Sequence, residues 1–392
     1  MKILVICQYY YPEPFRLSDI CSELVRMGHE VQVITGVPNY PLGVIYKDYR
    51  HGKKRDEEIS GVRIHRCFTI GRRKSVIFRF LNYYSYALSA TRYVKKIDND
   101  YDVIFVNQLS PIMMAYPALK YKEINNKKIV LYCLDLWPDA LTSVGISKKT
   151  LIYKHFWKIS NKIYGNSDRI LVSSKSFINY FQNEFGIYDA THLPQYAEDI
   201  FLPEKCIKKK DGYLDLMFAG NLGISQSVST IVEAAKLTED NEKIRWHIVG
   251  DGSELDRMKN EAKGLKNISF YGRVPVEKMP EFYSKADAMI VTLVKSRVHS
   301  YTLPGKVQTY MAAGKPILGS ADGETALIIS ESKCGICCEA ERPDELAKIV
   351  RSIYNSELLE EYSRNAIAYY RKHYSKEKVL TDLENTLEHY SG

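Results

Sequence analysis

The sequence predicts an α/β protein with two doubly wound domains, each built on a parallel sheet. Short β-branched runs alternate with longer amphipathic stretches through both halves, a pattern that favours parallel strands covered by helices on both faces. The length of 392 residues also exceeds the ~100–200 residues of an ordinary domain. An apolar fraction of 45% and a charged fraction of 26% exclude a disordered, collagenous or disulfide-scaffold protein.

The first half contains six predicted strands separated by helical patterns. The strands are expected at 2–7, 30–35, 62–67, 102–106, 128–133 and 169–173. A helix over 18–27 ends at Gly28, and further helices are expected over 76–96, 111–122, 150–165 and 175–185. These elements predict an amino-terminal Rossmann-like domain over residues 1–200.

The second half repeats the same order of elements, which predicts a second Rossmann-like domain over 201–374. A strand at 214–219 is followed by a turn at 220–223, a helix at 227–237, a strand at 245–249 and a second turn at 250–252. The segment between the domains, with Pro194 and the lysine run 208–210, is typical of a linker. A helix over 375–392 is expected to pack back on the first domain. Since open parallel sheets bind ligands at the carboxyl ends of their strands, we expect the site in a cleft between two facing sheets.

Several protein classes are disfavoured by what the sequence lacks. No uninterrupted apolar stretch approaches the ~18 residues of a membrane-spanning helix. Residues 1–7 read as a strand and run directly into Gln8 and three tyrosines, without the cleavage site of a secretory signal, so we expect a cytoplasmic protein. The eight cysteines are scattered, and the cluster at 334–338 lacks a second ligand pair, so we expect neither disulfides nor a metal site.

The positive charge is concentrated in the first half. Residues 1–200 carry 28 Lys and Arg against 19 Asp and Glu, whereas residues 201–392 carry 27 against 28. The segment 71–96 holds seven basic residues, no acidic one and several aromatic rings. Three interpretations of this segment are open: it contacts an anionic membrane surface, it binds nucleic acid, or it is a solvent-exposed helix face without a partner. The membrane is favoured, because basic and aromatic residues together are typical of interfacial helices and no nucleic-acid-binding module surrounds them. The expected membrane contacts are Arg72, Arg73, Lys74 and Arg79.

Two features in the second half indicate phosphate binding. The first strand leads into residues 8–16 with no Gly-x-Gly-x-x-Gly fingerprint, which disfavours a dinucleotide oxidoreductase. The glycines lie instead at 220–223, where free backbone N–H groups next to a helix could accept a diphosphate. Lys306 lies in the first turn of a predicted helix, an unfavourable place for an ammonium unless an anion binds there. A simple tight turn and an exposed surface lysine are the plain alternatives.

Segments along nearly the whole chain resemble a known family. They are MKIL at 1–4, GHEVQVITG at 28–36, SDRILVSS at 167–174, FAGNLG at 218–223, HIVGDGSE at 247–254, FYGRVP at 270–275 and MAAGKPIL at 311–318. This set resembles glycosyltransferase family 4, the retaining sugar-nucleotide transferases of GT-B fold. The segments at 10–21, 35–43, 134–141 and 303–318 are similar to the L-fucosamine-transferase-like branch, which builds bacterial surface polysaccharides.

The resemblance implies roles for individual residues. It implies that Gly220, Asn221, Gly223 and Lys306 bind the donor diphosphate, that Arg273 lies near the nucleotide base, and that Asp322, Gly323 and Glu324 face the donor sugar. Family members commonly carry two glutamates eight residues apart, the second holding the ribose. This sequence has Tyr301 and Thr309 there, so Thr309 is the donor-side candidate.

In the first half, Leu134 stands where the family has a histidine. Its neighbour Asp135 is therefore our candidate for contacting donor or acceptor hydroxyls, although a turn cap is the plainer alternative. Glu13 and Arg16 are expected to face the acceptor in the cleft.

The chemistry implied is cleavage of a sugar–diphosphate bond without a metal cofactor. Negative charge develops on the leaving phosphate, and Lys306 with the glycine loop would stabilise it. Retention of configuration proceeds either by front-face attack or through a covalent carboxylate intermediate. We favour the first, because no carboxylate stands out as a nucleophile.

The leading hypothesis is an enzyme at the inner face of the cell membrane, without a stable protein partner. It would move a sugar, such as N-acetyl-L-fucosamine, from a UDP donor to a polyprenyl-diphosphate-linked saccharide. The product would be the O-antigen of a lipopolysaccharide, or a capsule. One rival is a non-catalytic subunit that binds sugar nucleotides in a polysaccharide assembly complex. Another is a cytosolic transferase with a soluble acceptor.

Overall fold

The computed structural model describes residues 1–73, 75–98, 100–206 and 212–392. The chain divides into two compact units, residues 1–193 together with 380–392, and residues 194–379. The first unit thus ends at Leu193 rather than at residue 200, and the returning segment begins at Leu380 rather than at residue 375. Lys74 and the lysine run 208–210, which carried a membrane prediction and a linker prediction, lie outside the described residues.

In the described part of the first unit, eight strands form one sheet in the order β3-β4-β2-β1-β5-β6-β7-β8. The strands are β1 (Lys2–Ile6), β2 (Glu30–Gly36), β3 (Asp56–Ile59), β4 (Val62–Cys67), β5 (Val103–Gln108), β6 (Lys128–Cys133), β7 (Arg169–Val172) and β8 (Thr191–His192). Only the hairpin of β3 and β4 is antiparallel among these pairs. The six predicted strands are present, and the two short edge strands β3 and β8 are additional.

The helices of the first unit follow the predicted positions with one difference. They are α1 (Leu17–Arg26), α2 (Val76–Val94), α3 (Tyr116–Asn125), α4 (Leu151–Gly165) and α5 (Ser176–Phe185). The helix predicted at 111–122 opens instead with a 3-10 turn at Ile112–Ala115, and α3 begins only at Tyr116. In α1, Leu17, Ile20, Cys21 and Leu24 are buried on one face, the spacing of a helix packed on a sheet.

In the described part of the second unit, six parallel strands form a sheet in the order β11-β10-β9-β12-β13-β14. The strands are β9 (Leu214–Ala219), β10 (Ile244–Val249), β11 (Ile268–Gly272), β12 (Ala288–Thr292), β13 (Ile317–Ser320) and β14 (Gly335–Cys338). The helices are α6 (Val228–Leu237), α7 (Leu255–Glu261), α8 (Met279–Tyr283), α9 (Arg297–Ser300), α10 (Gly305–Ala312), α11 (Glu324–Ser332), α12 (Pro343–Ile353), α13 (Leu358–His373) and α14 (Lys376–His389), whose last part belongs to the first unit.

The sheet of the second unit is covered on both faces by apolar side chains. One cluster includes Val307, Tyr310 and Met311 of α10, and the other includes Ile231 and Val232 of α6. Burial on both faces explains why the inner strand β12 reads as an apolar run, whereas β10 and β11 at one side of the sheet alternate. No described helix is long and apolar enough to cross a bilayer.

Candidate active site

The glycine loop at 220–223 lies at the carboxyl end of β9, the central part of the second sheet. Two of its amides are used internally, because Gly220 N donates to Val249 O at 2.9 Å and Leu222 N donates to Asp251 O at 2.9 Å. Among the described residues, none accepts a hydrogen bond from the amides of Asn221 and Gly223. The loop therefore offers two alternate amides, those of Asn221 and Gly223, to an anion.

The loop does not open directly into a helix. A 3-10 turn at Ile224–Gln226 follows it, and α6 begins at Val228 after Ser227, which has the left-handed backbone conformation. The amino terminus of α6 is thus separated from the loop by a turn. The contribution expected from the helix dipole at 220–223 is correspondingly smaller, because that effect falls off within the first turn.

The second turn, at 250–252, braces the glycine loop. A Cβ atom at Gly250, whose φ is +145°, would lie 1.8 Å from Gly220 O, and one at Gly252 would lie 2.3 Å from Leu222 O. Glu254 N also donates to Leu222 O at 2.9 Å. Only glycine permits this approach of two backbones, so the sequence Gly250-Asp251-Gly252 fixes the shape of the loop that precedes it.

Lys306 brings its ammonium to this loop from the first turn of α10. A Cβ built on Gly220 would lie 3.2 Å from Lys306 Nζ. The ammonium donates to Gln226 Oε1 at 2.6 Å and lies 3.8 Å from the centre of the Phe218 ring. Burial lowers the pKa of Lys306 from 10.5 to about 7. Among the described residues, the partners of this half-buried ammonium are a neutral amide and an aromatic face, so an anion bound beside it would favour its protonated form.

Gln226 and Phe218 were missed by sequence reasoning. Gln226 contacts Lys306 across 80 residues of chain, and its own carbonyl accepts from Thr292 Oγ1 at 2.5 Å, which fixes the 3-10 turn against β12. The signal available in the sequence was the FAGNLGISQ run, in which the amide side chain follows the loop by three residues.

Other donor-side candidates are occupied within the protein. Thr309 is 6% exposed and its hydroxyl donates to Gly305 O at 3.1 Å, one turn back in α10. Arg273 follows β11 and is half exposed, with its Nε 3.9 Å from Asp251 Oδ2 beside the 250–252 turn. Arg273 therefore remains available beside the loop, whereas Thr309 has a structural partner.

The segment 322–324 is less open than the prediction assumed. Asp322 Oδ1 accepts from Ala340 N at 3.0 Å, and Glu324 is 4% exposed, with an electrostatic influence on the buried hydroxyl of Tyr374. Gly323 has φ +63°, and a Cβ there would lie 2.0 Å from Ser300 O. The glycine is required by this backbone contact, while Glu324 is buried and Asp322 is half-buried.

In the first unit, the Glu13 carboxylate is a buried structural lock. It is 3% exposed, and Oε1 accepts from Asn39 N at 2.8 Å and from Tyr40 N at 2.6 Å, while Oε2 accepts from Tyr10 N at 3.2 Å. Burial raises the pKa of Glu13 to about 7 against the opposing effect of these amides. The carboxylate joins the loops after β1 and β2, and this leaves little of it for an acceptor.

Asp135 likewise has an internal partner. Its Oδ2 accepts from Ser110 N at 2.9 Å, and the Ser110 hydroxyl in turn accepts from Trp137 Nε1 at 2.7 Å. Burial raises the pKa of Asp135 above its ordinary value. The arrangement is that of a turn-holding carboxylate at the ends of β5 and β6, the plainer of the two sequence readings.

The basic residues expected at a membrane separate into two kinds. Arg72 is half-buried, with its guanidinium 5.7 Å from the Tyr83 ring, so it serves the interior. Arg73 and Arg79 are exposed, the former 4.9 Å from the Phe78 ring. Arg16 lies half-buried just before α1, within electrostatic reach of the buried Tyr132.

No group of three or more His, Cys, Asp or Glu side chains positioned to hold a metal ion occurs in the described part of the chain. In the second unit, N–H groups of the 220–223 loop and the Lys306 ammonium lie side by side. The amides of Asn221 and Gly223 can donate hydrogen bonds, and the Lys306 ammonium beside them carries a positive charge. Such a set of groups is suited to binding a phosphate or diphosphate.

The comparison with known proteins defines the class. Residues 16–193 match the family model described as Glycosyltransferase Family 4, and residues 204–373 match the model described as Glycosyl transferases group 1. The two matches are adjacent and together span most of the chain. The protein belongs to the glycosyltransferases that combine these two domains, and it is a transferase.

Individual relatives agree with this class. The putative colanic acid biosynthesis glycosyl transferase WcaI of Escherichia coli K12 is 23% identical over 410 residues, covering 99% of this chain and 100% of that protein. The crystal structure of WaaG, a glycosyltransferase involved in lipopolysaccharide biosynthesis, superposes with a TM-score of 0.72 at 15% identity over 100% of both chains. Anabaena Alr3699/HepE in complex with UDP-glucose gives a TM-score of 0.71 at 13% identity over 99% of both chains. These likenesses establish the GT-B fold, whereas the L-fucosamine-transferase-like branch stays a prediction.

Proposed function

We propose that the protein transfers a sugar, with retention of configuration, from a UDP-linked donor to a lipid-diphosphate-linked saccharide in the synthesis of a bacterial surface polysaccharide. One observation supports the binding of a nucleotide-sugar donor. The Lys306 ammonium lies beside two loop amides, those of Asn221 and Gly223, and no described residue accepts a hydrogen bond from either amide. The name of the WcaI relative and the UDP-glucose bound to HepE support the choice of polysaccharide and of UDP.

The roles we assign follow from charge. Cleavage of the bond between sugar and diphosphate gives the terminal phosphate of the leaving group a second negative charge, and Lys306 with the amides of Asn221 and Gly223 would stabilise it. Arg273 would contact the nucleotide from the adjacent loop, and the segment 322–324 would face the sugar. The leaving phosphate takes the proton of the acceptor hydroxyl in front-face attack, so no protein nucleophile is required.

Membrane association is proposed from the outer face of α2. Ile77, Leu81 and Leu88 are 69%, 43% and 54% exposed and share one helical face, with exposed Arg79 beside them in sequence. The stacked rings of Phe80 and Phe156, 6.1 Å apart, join α2 to α4, whose first residues Leu151 and Ile152 are 83% and 50% exposed. Arg79 is two residues from both Ile77 and Leu81 and projects from the opposite side of α2, so the proposal rests on the exposed apolar face, which is typical of a helix in the headgroup region.

The donor half is tested by incubating purified protein with a panel of nucleotide sugars and lipid-linked acceptors and measuring nucleoside diphosphate release. UDP release that needs both a UDP-sugar and the acceptor supports the proposal. Calorimetric binding of UDP-sugars without turnover against any acceptor would instead favour the non-catalytic subunit, and turnover with a purely soluble saccharide would favour the cytosolic transferase.

The membrane half is tested by flotation with phosphatidylglycerol vesicles at low and high salt. The wild type should float at low salt and less at high salt, because surface charges are screened. The double variant Ile77→Ser/Leu81→Ser should stay at the bottom. The matched control Leu237→Ser/Leu327→Ser removes two apolar side chains of similar exposure, 47% and 62%, from the second unit and should float like the wild type.

A further inference from the structure

The first unit also contains a cavity of about 710 Å³. It lies between the loop that follows β2, the carboxyl end of β4 and the segment that precedes α2. Gly43 and Gly71 hold its walls together, since a Cβ at Gly71 would lie 2.7 Å from Gly43 O and one at Gly43 would lie 2.8 Å from Arg72 O. The space is thus a fixed part of the fold of this unit.

Arg66 lines this cavity, and its guanidinium has nitrogens without a partner in the described protein. The residue is 1% exposed, and among the described residues none accepts from its Nε or its Nη1. Its third nitrogen, Nη2, donates to Glu57 Oε2 at 2.8 Å, and the guanidinium lies 4.8 Å from the centre of the Tyr49 ring. A buried guanidinium is held in place on one edge and left with two donors free on the other, which is a costly arrangement unless an anion or water accepts from them.

Positive charge dominates the described lining of the cavity. Further cations on the wall are Arg50, Lys53, Arg55 and Arg73, and no acidic side chain belongs to the described lining. The carboxylate of Glu57 offsets one of these charges through its pairing with Arg66. The balance favours a ligand with more than one negative charge, because a planar guanidinium and several neighbouring cations suit a phosphate or diphosphate better than a single carboxylate.

The remaining wall is apolar and open at one side. Phe68 is 59% exposed and Val44 is 45% exposed, and Phe78, on which Arg73 lies, completes this wall. Exposed apolar side chains beside a cationic floor suit an amphiphile, with its phosphate inward and its chain along Phe68 and Val44. Phe78 lies on α2, the helix whose outer face we assign to the membrane.

We propose that this cavity binds the diphosphate of an isoprenoid-linked ligand, with the Arg66 guanidinium and the neighbouring cations of the wall attracting the phosphates and Phe68, Val44 and Phe78 contacting the isoprenoid chain. The choice of a lipid diphosphate rather than a free one rests on the proposed function. The site is distinct from the donor loop, since all of its residues belong to the first unit, whereas Lys306 and the 220–223 loop belong to the second.

The test measures binding of three probes to the full-length protein by calorimetry: farnesyl diphosphate, inorganic pyrophosphate and farnesol. Farnesyl diphosphate should bind at least about tenfold more tightly than either of the others, because each lacks one half of the interaction. If pyrophosphate binds equally well, the cavity takes free phosphates and the lipid assignment is overturned. If farnesol binds equally well, or if farnesyl diphosphate does not bind, the proposal fails altogether.

Variants locate the site. Arg66→Gln should weaken farnesyl diphosphate binding at least about tenfold, but it also breaks the contact with Glu57 and can cost stability. Arg55→Gln and Phe68→Ser change exposed side chains and keep the test valid: the first should weaken both anionic probes severalfold, and the second should weaken farnesyl diphosphate without changing pyrophosphate. Arg63→Gln is the matched control, because Arg63 is also exposed and lies on β4. This variant should bind farnesyl diphosphate and pyrophosphate as the wild type does.

The outcome is separable from that of the proposed function. These variants should bind UDP as the wild type does, and Lys306→Met should bind farnesyl diphosphate as the wild type does. Equal binding of farnesyl diphosphate by the wild type and by Arg66→Gln, Arg55→Gln and Phe68→Ser would overturn the assignment of this cavity, while leaving UDP-sugar turnover untouched.

Discussion

Replacing Lys306 by methionine should remove most of the activity while leaving the fold intact. The ammonium lies beside the loop, within about 3 Å of where a Gly220 side chain would begin, so a bound phosphate oxygen would lie close to it. One pair of opposite unit charges at about 4 Å contributes about 4 kcal/mol at an effective dielectric constant near 20. If that interaction strengthens as the leaving group gains charge, kcat/KM for the UDP-sugar falls about a thousandfold.

The stability of the same variant separates a lost catalytic contact from a damaged fold. Since burial lowers the pKa of Lys306 from 10.5 to about 7, the charged form is disfavoured in the folded state by about 5 kcal/mol. The unfolded state binds more protons between pH 7 and about 10.5, so wild-type stability should rise with pH through that window. Lys306→Met should lack this rise and should melt no lower than the wild type at pH 7.

The assay is UDP release from the donor identified in the nucleotide-sugar screen, with thermal melting of the same preparations. Lys348→Met, a change of the same type at an exposed position on α12, is the control and should keep full activity. Activity of Lys306→Met within about tenfold of the wild type would refute the reasoning, as would a large fall in melting temperature that accounts for the lost activity.

Three further changes test individual contacts. Glu13→Ala leaves three backbone amides without their carboxylate, so the free energy of unfolding should fall by about 2–4 kcal/mol in a denaturant titration, and an unchanged midpoint would contradict the structural role. Asp135→Asn keeps an oxygen that can accept from Ser110 N, so its kcat should stay within about threefold of the wild type. Asp135→Ala loses this acceptor, and its free energy of unfolding should fall by about 1–3 kcal/mol. A hundredfold loss of kcat in a stable Asp135→Asn variant would show that the carboxylate takes part in the reaction. Gly250→Ala places a Cβ 1.8 Å from Gly220 O, so UDP binding should be abolished or the unit destabilised by more than about 3 kcal/mol, and wild-type affinity in a stable variant would contradict the bracing role.

The elements that the sequence predicted well are those with a strong periodic pattern. Strands such as β1 and β5 are buried along their length and read as apolar runs, and α1 shows the spacing of a helix packed on one side. The hairpin strand β3, with the sequence DEEI, and the two-residue strand β8 carry no such signal, because they are short edge strands whose pairing depends on a partner elsewhere in the chain.

The candidate site was predictable only in part. The glycine loop and Lys306 could be found because their local sequences conflict with ordinary turn and helix chemistry. Gln226 and the orphaned donors of Arg66 could not, because each depends on which side chains the fold places beside them. The carboxylates of Glu13 and Asp135 also show what the sequence leaves out. Their residue type fits a role in the reaction, but only the fold shows that backbone amides donate hydrogen bonds to them.

Proton uptake on UDP binding tests the central claim, a diphosphate held by Lys306, most directly. At pH 8 a lysine with a pKa of about 7 is protonated in roughly a tenth of the molecules, whereas the lysine bound to a diphosphate is fully protonated. Calorimetry in two buffers of different ionisation enthalpy should therefore show an uptake of about 0.9 protons per UDP in the wild type beyond that seen with Lys306→Met. Tight binding of UDP with the same proton balance in both proteins would place the diphosphate elsewhere.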